Sequence, residues 1–189
     1  MNPKQMLDFI KSRFSPRAFA EKTITESELK EIFEAARWAP SSYNAQPWRF
    51  IYARKGSDFY KKILASMGEW NQQWAQSAPI LIATLITKNY EHNQSPYFHA
   101  MHDLGIAIGQ LSLQALSHQI YIHHIGGFDA EKLTNSLNIN KKYQVVTLFA
   151  LGYLGDDSRI PKEIAEITKN RPRQRKPLEE ILFCETTPQ

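Results

Sequence analysis

Apolar positions recur along the chain with two periods. Leu29, Ile32, Phe33 and Ala36 repeat at the spacing of one helix face, and Thr25-Glu26-Ser27-Glu28 ahead of them matches a capping box. A helix is therefore predicted over about Glu26 to Arg37. Short apolar runs rich in β-branched and aromatic residues predict strands at Trp48 to Ala53, Pro79 to Ile86, Gln119 to His123 and Val145 to Tyr153. Further helices are predicted over Pro3–Ser12, Ser57–Ser66, Glu69–Gln76, Pro96–His118, Asp129–Leu137 and Lys162–Ile167. The uncharged run from Leu104 to Leu116 falls short of the roughly 20 apolar residues that span a bilayer. Leu104, Ala107, Ile108, Leu111 and Ala115 make one of its faces and Ile106 with Leu113 a second, so this helix should be covered on more than one side. No glycine-rich phosphate loop of the dinucleotide type follows any strand, which leaves a doubly wound fold without support. The fold class is α+β.

A chain of 189 residues with 42% hydrophobic content can bury a sizeable core, and nothing in its middle is linker-like, so a single domain over residues 1–189 is expected. The N-terminus lacks the apolar stretch of a signal peptide, and the lone cysteine, Cys184, excludes an intramolecular disulfide; a cytoplasmic protein is expected. Charge changes the picture more. Residues 1–17 carry Lys4, Lys11, Arg13 and Arg17 against Asp8, and residues 169–176 carry Lys169, Arg171, Arg173, Arg175 and Lys176 with no acid. The two ends reach +8 against a total of +4, which leaves −4 for the rest of the chain. Such concentration suggests either one anionic ligand or two separate basic surfaces. Arg13 and Arg17 offer two guanidinium forks with the Ser15 hydroxyl between them, suited to a phosphate, or are solvated residues at the end of the first helix.

Between the second helix and the first strand, Trp38-Ala39-Pro40-Ser41-Ser42-Tyr43-Asn44-Ala45-Gln46-Pro47-Trp48 puts hydroxyls and carboxamides on a loop fixed at both ends. Pro40 and Pro47 restrict the residues before them to extended conformations, which removes part of the entropy of fixing the polar side chains. The same residues also suit an ordinary helix-to-strand turn. Six histidines raise the question of a metal. His99 and His102 are three apart on a helix, His123 and His124 point to opposite faces of a strand, and none has a Cys or acidic partner at ligand spacing; no metal site is expected.

Taken together, Ser12 to Phe19, Trp38 to Phe50, Gly126 to Asp129, Ala150 to Tyr153 and Arg175 to Leu178 resemble, in order and spacing, the nitroreductase superfamily of FMN-dependent oxidoreductases. The resemblance implies a mainly antiparallel central sheet flanked by helices, in an intertwined homodimer whose C-terminal arm, about residues 156–189, wraps the partner subunit. It implies that Arg13, Ser15 and Arg17 hold the FMN phosphate and the pyrimidine edge of the flavin. It also implies that Pro40, Ser41, Ser42 and Asn44 reach the flavin bound mainly by the partner, and that Asn71 meets the pyrimidine ring. Gly126 and Gly127 would pass the flavin N5 edge, and Arg173 and Arg175 would return to the phosphate. The residue types fit: an isoalloxazine needs neutral donors around N1, O2, O4 and N5, and amides, hydroxyls and glycine N–H groups supply them.

The expected function is hydride transfer from NADH or NADPH through flavin N5 to a small acceptor such as a nitroaromatic, quinone or enone. No residue is needed as a proton-transfer catalyst, since the protein mainly positions reactants. Trp70, Trp74, Tyr97 and Phe98 could form a flat acceptor pocket, although core or interface packing is the commoner use of such residues. One rival is another flavin reaction of the same superfamily: dehalogenation, flavin fragmentation or azoline oxidation. The other is nucleic-acid binding by the basic tail, which has no interleaved aromatics and no accompanying binding module.

Overall fold

A computed structural model of the chain describes residues 2–170 and 172–184; Met1, Arg171 of the basic cluster and residues 185–189 at the end of the arm lie outside the described residues. Four strands, β1 (Trp48–Arg54), β2 (Ile80–Thr87), β3 (Ile120–Ile125) and β4 (Tyr143–Tyr153), form one antiparallel sheet in the order β1-β2-β4-β3. Among the described residues seven α-helices surround it: α1 (Pro3–Ser12), α2 (Glu26–Arg37), α3 (Asp58–Ser66), α4 (Glu69–Ala75), α5 (Ala100–Ser117), α6 (Ala130–Ser136) and α7 (Lys162–Lys169).

The largely apolar sequence of β2 reads as a strand buried on both faces, and all eight of its residues are buried, Thr84 and Thr87 included. Ile80, Ile82 and Ile86 face a layer built from α2 and α5, with Leu104, Ala107, Leu111 and Ala115 of α5 against them. Leu81, Ala83 and Leu85 face the opposite layer, which holds Tyr60 and Ile63 of α3, Trp74 of α4 and Leu133 of α6. The pairing slips between Thr84 and Leu85, whose partners are Thr147 and Val145, so Val146 is an extra residue in β4. The bulge inverts the side-chain parity of β4. Val145 thereby shares a layer with Leu148 and Ala150, to which strict alternation would have opposed it. The Thr84 hydroxyl fills the gap in the ladder, donating to the Thr147 carbonyl at 2.9 Å and accepting from its N–H at 3.1 Å.

Local signals account for most element boundaries. The Thr25–Glu28 capping box forms as predicted, Ser57 caps α3 through the Tyr60 N–H, and Asp129 caps α6 through the Lys132 N–H. The helix predicted from Pro96 instead begins at Ala100. Pro96 pairs with Asn89 in an isolated bridge, and the Tyr97 N–H donates to the Lys88 carbonyl, so residues 88–97 form a hairpin-like excursion. β4 extends back to Tyr143 because its first residues pair with the end of β2.

The N-terminal segment is tied to the sheet at its far end. Phe19 bridges Leu154, the Gly155 N–H donates to the Ala18 carbonyl, and the Ala20 N–H donates to the Tyr153 carbonyl. A Cβ at Gly155 would stand 2.4 Å from the Phe19 carbonyl carbon, so only glycine permits this approach. Tyr153 is also joined to α2, since its hydroxyl donates to the Glu28 carboxylate. That bond, with those from the Thr25 N–H and hydroxyl, holds the Glu28 pKa down to about 2.

A carboxylate depressed in the folded state stabilises the fold above its unfolded pKa and loses that contribution as pH falls toward the folded value. Chemical denaturation of wild-type and Glu28→Gln protein should show the variant less stable at neutral pH. The gap should narrow between about pH 4.5, near the ordinary glutamate value, and about pH 2; a gap independent of pH would contradict the role given to this carboxylate.

Candidate active site

α1 ends at Arg13, whose extended conformation sends the chain across the sheet edge. Phe14 packs on Tyr121 of β3 at a centroid distance of 5.0 Å. The Pro16 carbonyl lies 2.8 Å from His123 Nδ1; a carbonyl only accepts, so the imidazole carries a proton on that nitrogen. His123 in turn packs on Trp74 at 4.3 Å. Arg17 is only 7% exposed, with its guanidinium 4.8 Å from the centroid of the Trp70 ring and donating to the Thr168 hydroxyl at 2.9 Å. Residues 13–17 are thus fixed against β3, α4 and α7 at once.

The C-terminal segment returns to the same place. Arg173 Nη2 donates to the carbonyls of Lys11 and Arg13, satisfying acceptors that the end of α1 leaves open. The result is a cleft of about 580 Å³ lined by Arg13, Ser15, Arg17, His123, Thr168, Lys169, Arg173 and Arg175, a size that suits a small ligand or cofactor. Among the described residues no carboxylate lines it. Lys169 is paired with Asp157 at 3.0 Å. Burial lowers the Arg13 pKa, and so do the positive charges of Arg173 and Arg175. Mutually repelling guanidiniums with hydroxyls among them make a cradle for a polyanionic group such as a phosphate.

Next to Trp70, Asn71 spans from α4 to the turn after β3. Its Nδ2 donates to the Gly127 carbonyl at 3.2 Å, and its Oδ1 accepts from the buried Trp74 indole at 3.3 Å. The Gly127 carbonyl also accepts from the Gly68 N–H at 3.1 Å. A Cβ on Gly127 would approach Asn71 Nδ2 to 3.0 Å, while one on Gly126 would meet nothing. Gly126 and Gly127 are exposed and leave the main chain approachable. Arg13, Ser15, Arg17, Asn71, Gly126, Gly127, Arg173 and Arg175 therefore gather along the β3 edge.

Pro40, Ser41, Ser42 and Asn44 do not join them. Their loop leads into β1, the opposite edge strand, three inter-strand spacings or roughly 14 Å across the sheet. The loop is strained: Tyr43, Asn44 and Gln46 have φ of 53°, 53° and 47°. Left-handed conformations of non-glycine residues cost on the order of 1–3 kcal/mol each. What holds them is a buried carboxylate that the loop motif does not contain. Asp103, 3% exposed in the first turn of α5, accepts from the Ser42 N–H at 3.0 Å and from the Tyr97 hydroxyl at 2.6 Å. Burial pushes the Asp103 pKa up, but donors from His102, Tyr97 and Ser42 outweigh it, and the carboxyl ends below its usual range. A signal was present in the sequence: Asp103 precedes Ala107 by one turn on the apolar face of α5. Of the suggested aromatic pocket, Trp74 and Tyr97 are core residues, while Trp70 is partly open and Phe98 is 87% exposed.

An antiparallel sheet covered on both faces, with a cation-lined cleft at one edge and a rigid polar loop at the other, defines an α+β protein whose cleft carries the charge to attract an anionic group. The family model described as the nitroreductase family matches residues 10–73 and 56–153. An oxygen-insensitive NADPH nitroreductase from Helicobacter pylori strain J99 is 31% identical over 185 residues, covering 77% of this chain and 80% of that one. An uncharacterized 15.4 kDa protein from Mycolicibacterium smegmatis is 30% identical over 142 residues, covering 71% and 94%. A solved structure described as an oxidoreductase containing FMN superposes with a TM-score of 0.87 at 31% identity, covering 96% of this chain and 92% of that one. The chain belongs to the nitroreductase family.

Replacing Asn71 by Ala strips the buried Trp74 indole of its acceptor and the Gly127 carbonyl of one donor. Chemical denaturation should show a loss of about 1–3 kcal/mol, the cost of leaving such groups unsatisfied; an unchanged midpoint would mean that Asn71 does not bridge α4 to the glycine turn.

Proposed function

We propose that this protein is an FMN-dependent oxidoreductase working as a homodimer, which takes hydride from NADH or NADPH and delivers it to a small acceptor such as a nitroaromatic, quinone or enone. Its membership of the nitroreductase family and the names of its relatives, an NADPH nitroreductase and an oxidoreductase containing FMN, support the redox class. The observation that carries the reading is the carboxylate-free cleft where Arg13, Arg17, Arg173 and Arg175 converge, continuous through Trp70 and Asn71 with an open glycine turn. Arg13, Ser15, Arg17, Arg173 and Arg175 would take the phosphate and the near edge of the flavin. Asn71 would be aligned for the pyrimidine ring, and Gly126 with Gly127 would expose main-chain N–H groups toward the ring edge. When bound, the flavin supplies the two-electron chemistry, so the chain's part is to bind, orient and exclude water, with no side chain acting as a base.

The second copy is argued from what one copy leaves open. Pro40, Ser41, Ser42 and Asn44 stand at the wrong edge to serve their own chain's cleft, in a rigid loop that leaves Pro40 and Asn44 exposed and Ser41 and Ser42 half-buried. α1 buries none of its residues and exposes Met6, Leu7 and Ile10, and the tail exposes Leu178, Ile181 and Leu182. α5 adds Met101, Gly105 and Gly109 along one open face. Apolar surface on this scale fits an obligate interface, with the arm of about residues 156–189 as an extension of a single domain that closes over the partner. Among the described residues, no helix is long and apolar enough to cross a membrane. The basic tail fits a single phosphate better than a nucleic-acid backbone, because Arg173 is folded onto α1, and Lys169 and Lys176 are paired with Asp157 and Glu180.

Purified protein supplied with FMN should show protein-bound flavin bands that bleach on anaerobic addition of NADH or NADPH, and the more effective donor identifies the physiological one. Arg13→Ala should weaken FMN binding on the order of 10- to 100-fold, as expected for lost charge-assisted hydrogen bonds. Folding should survive, because among the described residues the side-chain hydrogen bond of Arg13 is a 3.5 Å contact to Ser15. Stoichiometric, tightly bound FMN in that variant would remove the phosphate assignment.

A further inference from the structure

We infer that Asp103 is a positioning residue for the flavin, acting through the loop of residues 41–46 rather than by contact. The inference rests on the flavin-dimer reading, in which this loop serves the cofactor of a second copy.

The loop cannot hold its own shape. Three of its residues are left-handed without being glycine, and its bonds from Gln46 N–H to Ser41 Oγ at 3.0 Å, from Asn44 N–H to the Ser41 carbonyl at 2.9 Å and from Ala45 N–H to the Ser42 carbonyl at 3.1 Å depend on where Ser41 and Ser42 sit; the Gln46 side chain adds a bond to the Asn44 carbonyl at 3.1 Å. That place is set from α5. The Asp103 carboxylate grips the Ser42 N–H, and the Tyr97 hydroxyl lies 2.6 Å from the same oxygen and 3.2 Å from the Ser42 carbonyl. The single hydroxyl proton goes to the nearer, charged acceptor, which fixes Tyr97 in turn. Tyr90 stacks on Tyr97 at 4.0 Å and donates to Ser42 Oγ at 3.1 Å, closing the clamp on the hydroxyl that the loop would present. The negative charge sits in the first turn of α5, where the helix dipole favours it, and His102 covers its other oxygen. Both groups use one oxygen of the carboxylate, and its negative charge strengthens both bonds. A carboxamide can offer its oxygen to the same two donors only with its N–H₂ turned to His102, and it brings no charge to either bond. An isosteric side chain without the charge should therefore loosen the loop while sparing the core.

Asp103→Asn and Tyr97→Phe in the FMN-loaded protein test this. Measured are amide hydrogen exchange at residues 41–46, the FMN dissociation constant, the visible spectrum and the midpoint potential of the bound flavin. Expected are exchange at Ser42 and a dissociation constant each raised on the order of tenfold in Asp103→Asn. The flavin spectrum and potential should shift, with a smaller change of the same sign in Tyr97→Phe. Variants that lose only thermal stability, with exchange, affinity, spectrum and potential unchanged, would overturn the clamp and leave the flavin reading intact. Wild-type protein that takes up no FMN would overturn the flavin reading, and the proposed role of Asp103 with it.

Discussion

Everything in this molecule hangs on a strand that never meets water. β2 is buried along its whole length, with only Thr84 and Thr87 interrupting its apolar side chains, and lies inside the sheet, so each face demands its own cover. Burial of each large aliphatic side chain is worth about 1.5–3 kcal/mol, and Ile80, Ile82 and Ile86 claim that on one side as Leu81 and Leu85 do on the other. A three-layer arrangement follows: α2 and α5 on one face, and α3, α4 and α6 on the other. The bulge in β4 belongs to the same constraint, since without the extra residue Val145 would leave the layer that Leu85 occupies opposite it.

The core occupies the middle of the sheet, so chemistry is left to its edges. Among the described residues β3 is an edge strand, and there the start of the chain, the α4 helix and the C-terminal segment converge around guanidiniums. β1 is the opposite edge strand, and the proline-bounded loop stands beside it. Neither edge offers a complete environment for a flavin: one has the charge and the approachable main chain, the other has the rigid hydroxyls and carboxamides. In the proposed homodimer a second copy that brought one edge against the other would supply what each lacks, and the exposed apolar surfaces of α1, α5 and the tail would give that association its driving force.

Rigidity is distributed unequally between the two edges. At β3 it comes from many contacts of modest strength: Arg17 with Trp70 and Thr168, His123 with Pro16 and Trp74, Asn71 with Gly127. At β1 it comes from one buried charge, which sets a strained loop against a helix. The first arrangement tolerates the loss of a member; the second concentrates its dependence on Asp103.

The elements themselves were legible in the sequence because their causes are local. The capping box at Thr25, the proline-bounded loop, the N-cap at Asp129 and the largely apolar run of β2 each act within a few residues. The start of α5 was misplaced because Pro96 and Tyr97 obey non-local bonds to Asn89 and Lys88, which no helical periodicity reveals. The candidate site was legible as a set of residue types with a family order, so the basic ends and the polar loop could be named before any geometry was known. The sequence by itself determined the α+β class and the chemistry on offer, since hydrophobic period, capping and charge are properties of neighbours along the chain, while the antiparallel sheet was implied by the family resemblance. Only the tertiary structure decided which of those residues share an edge, that the loop stands across the sheet from the cleft, and that Asp103 holds it. Those relations arise from strand order and burial, which bring residues 61 positions apart into hydrogen-bond contact.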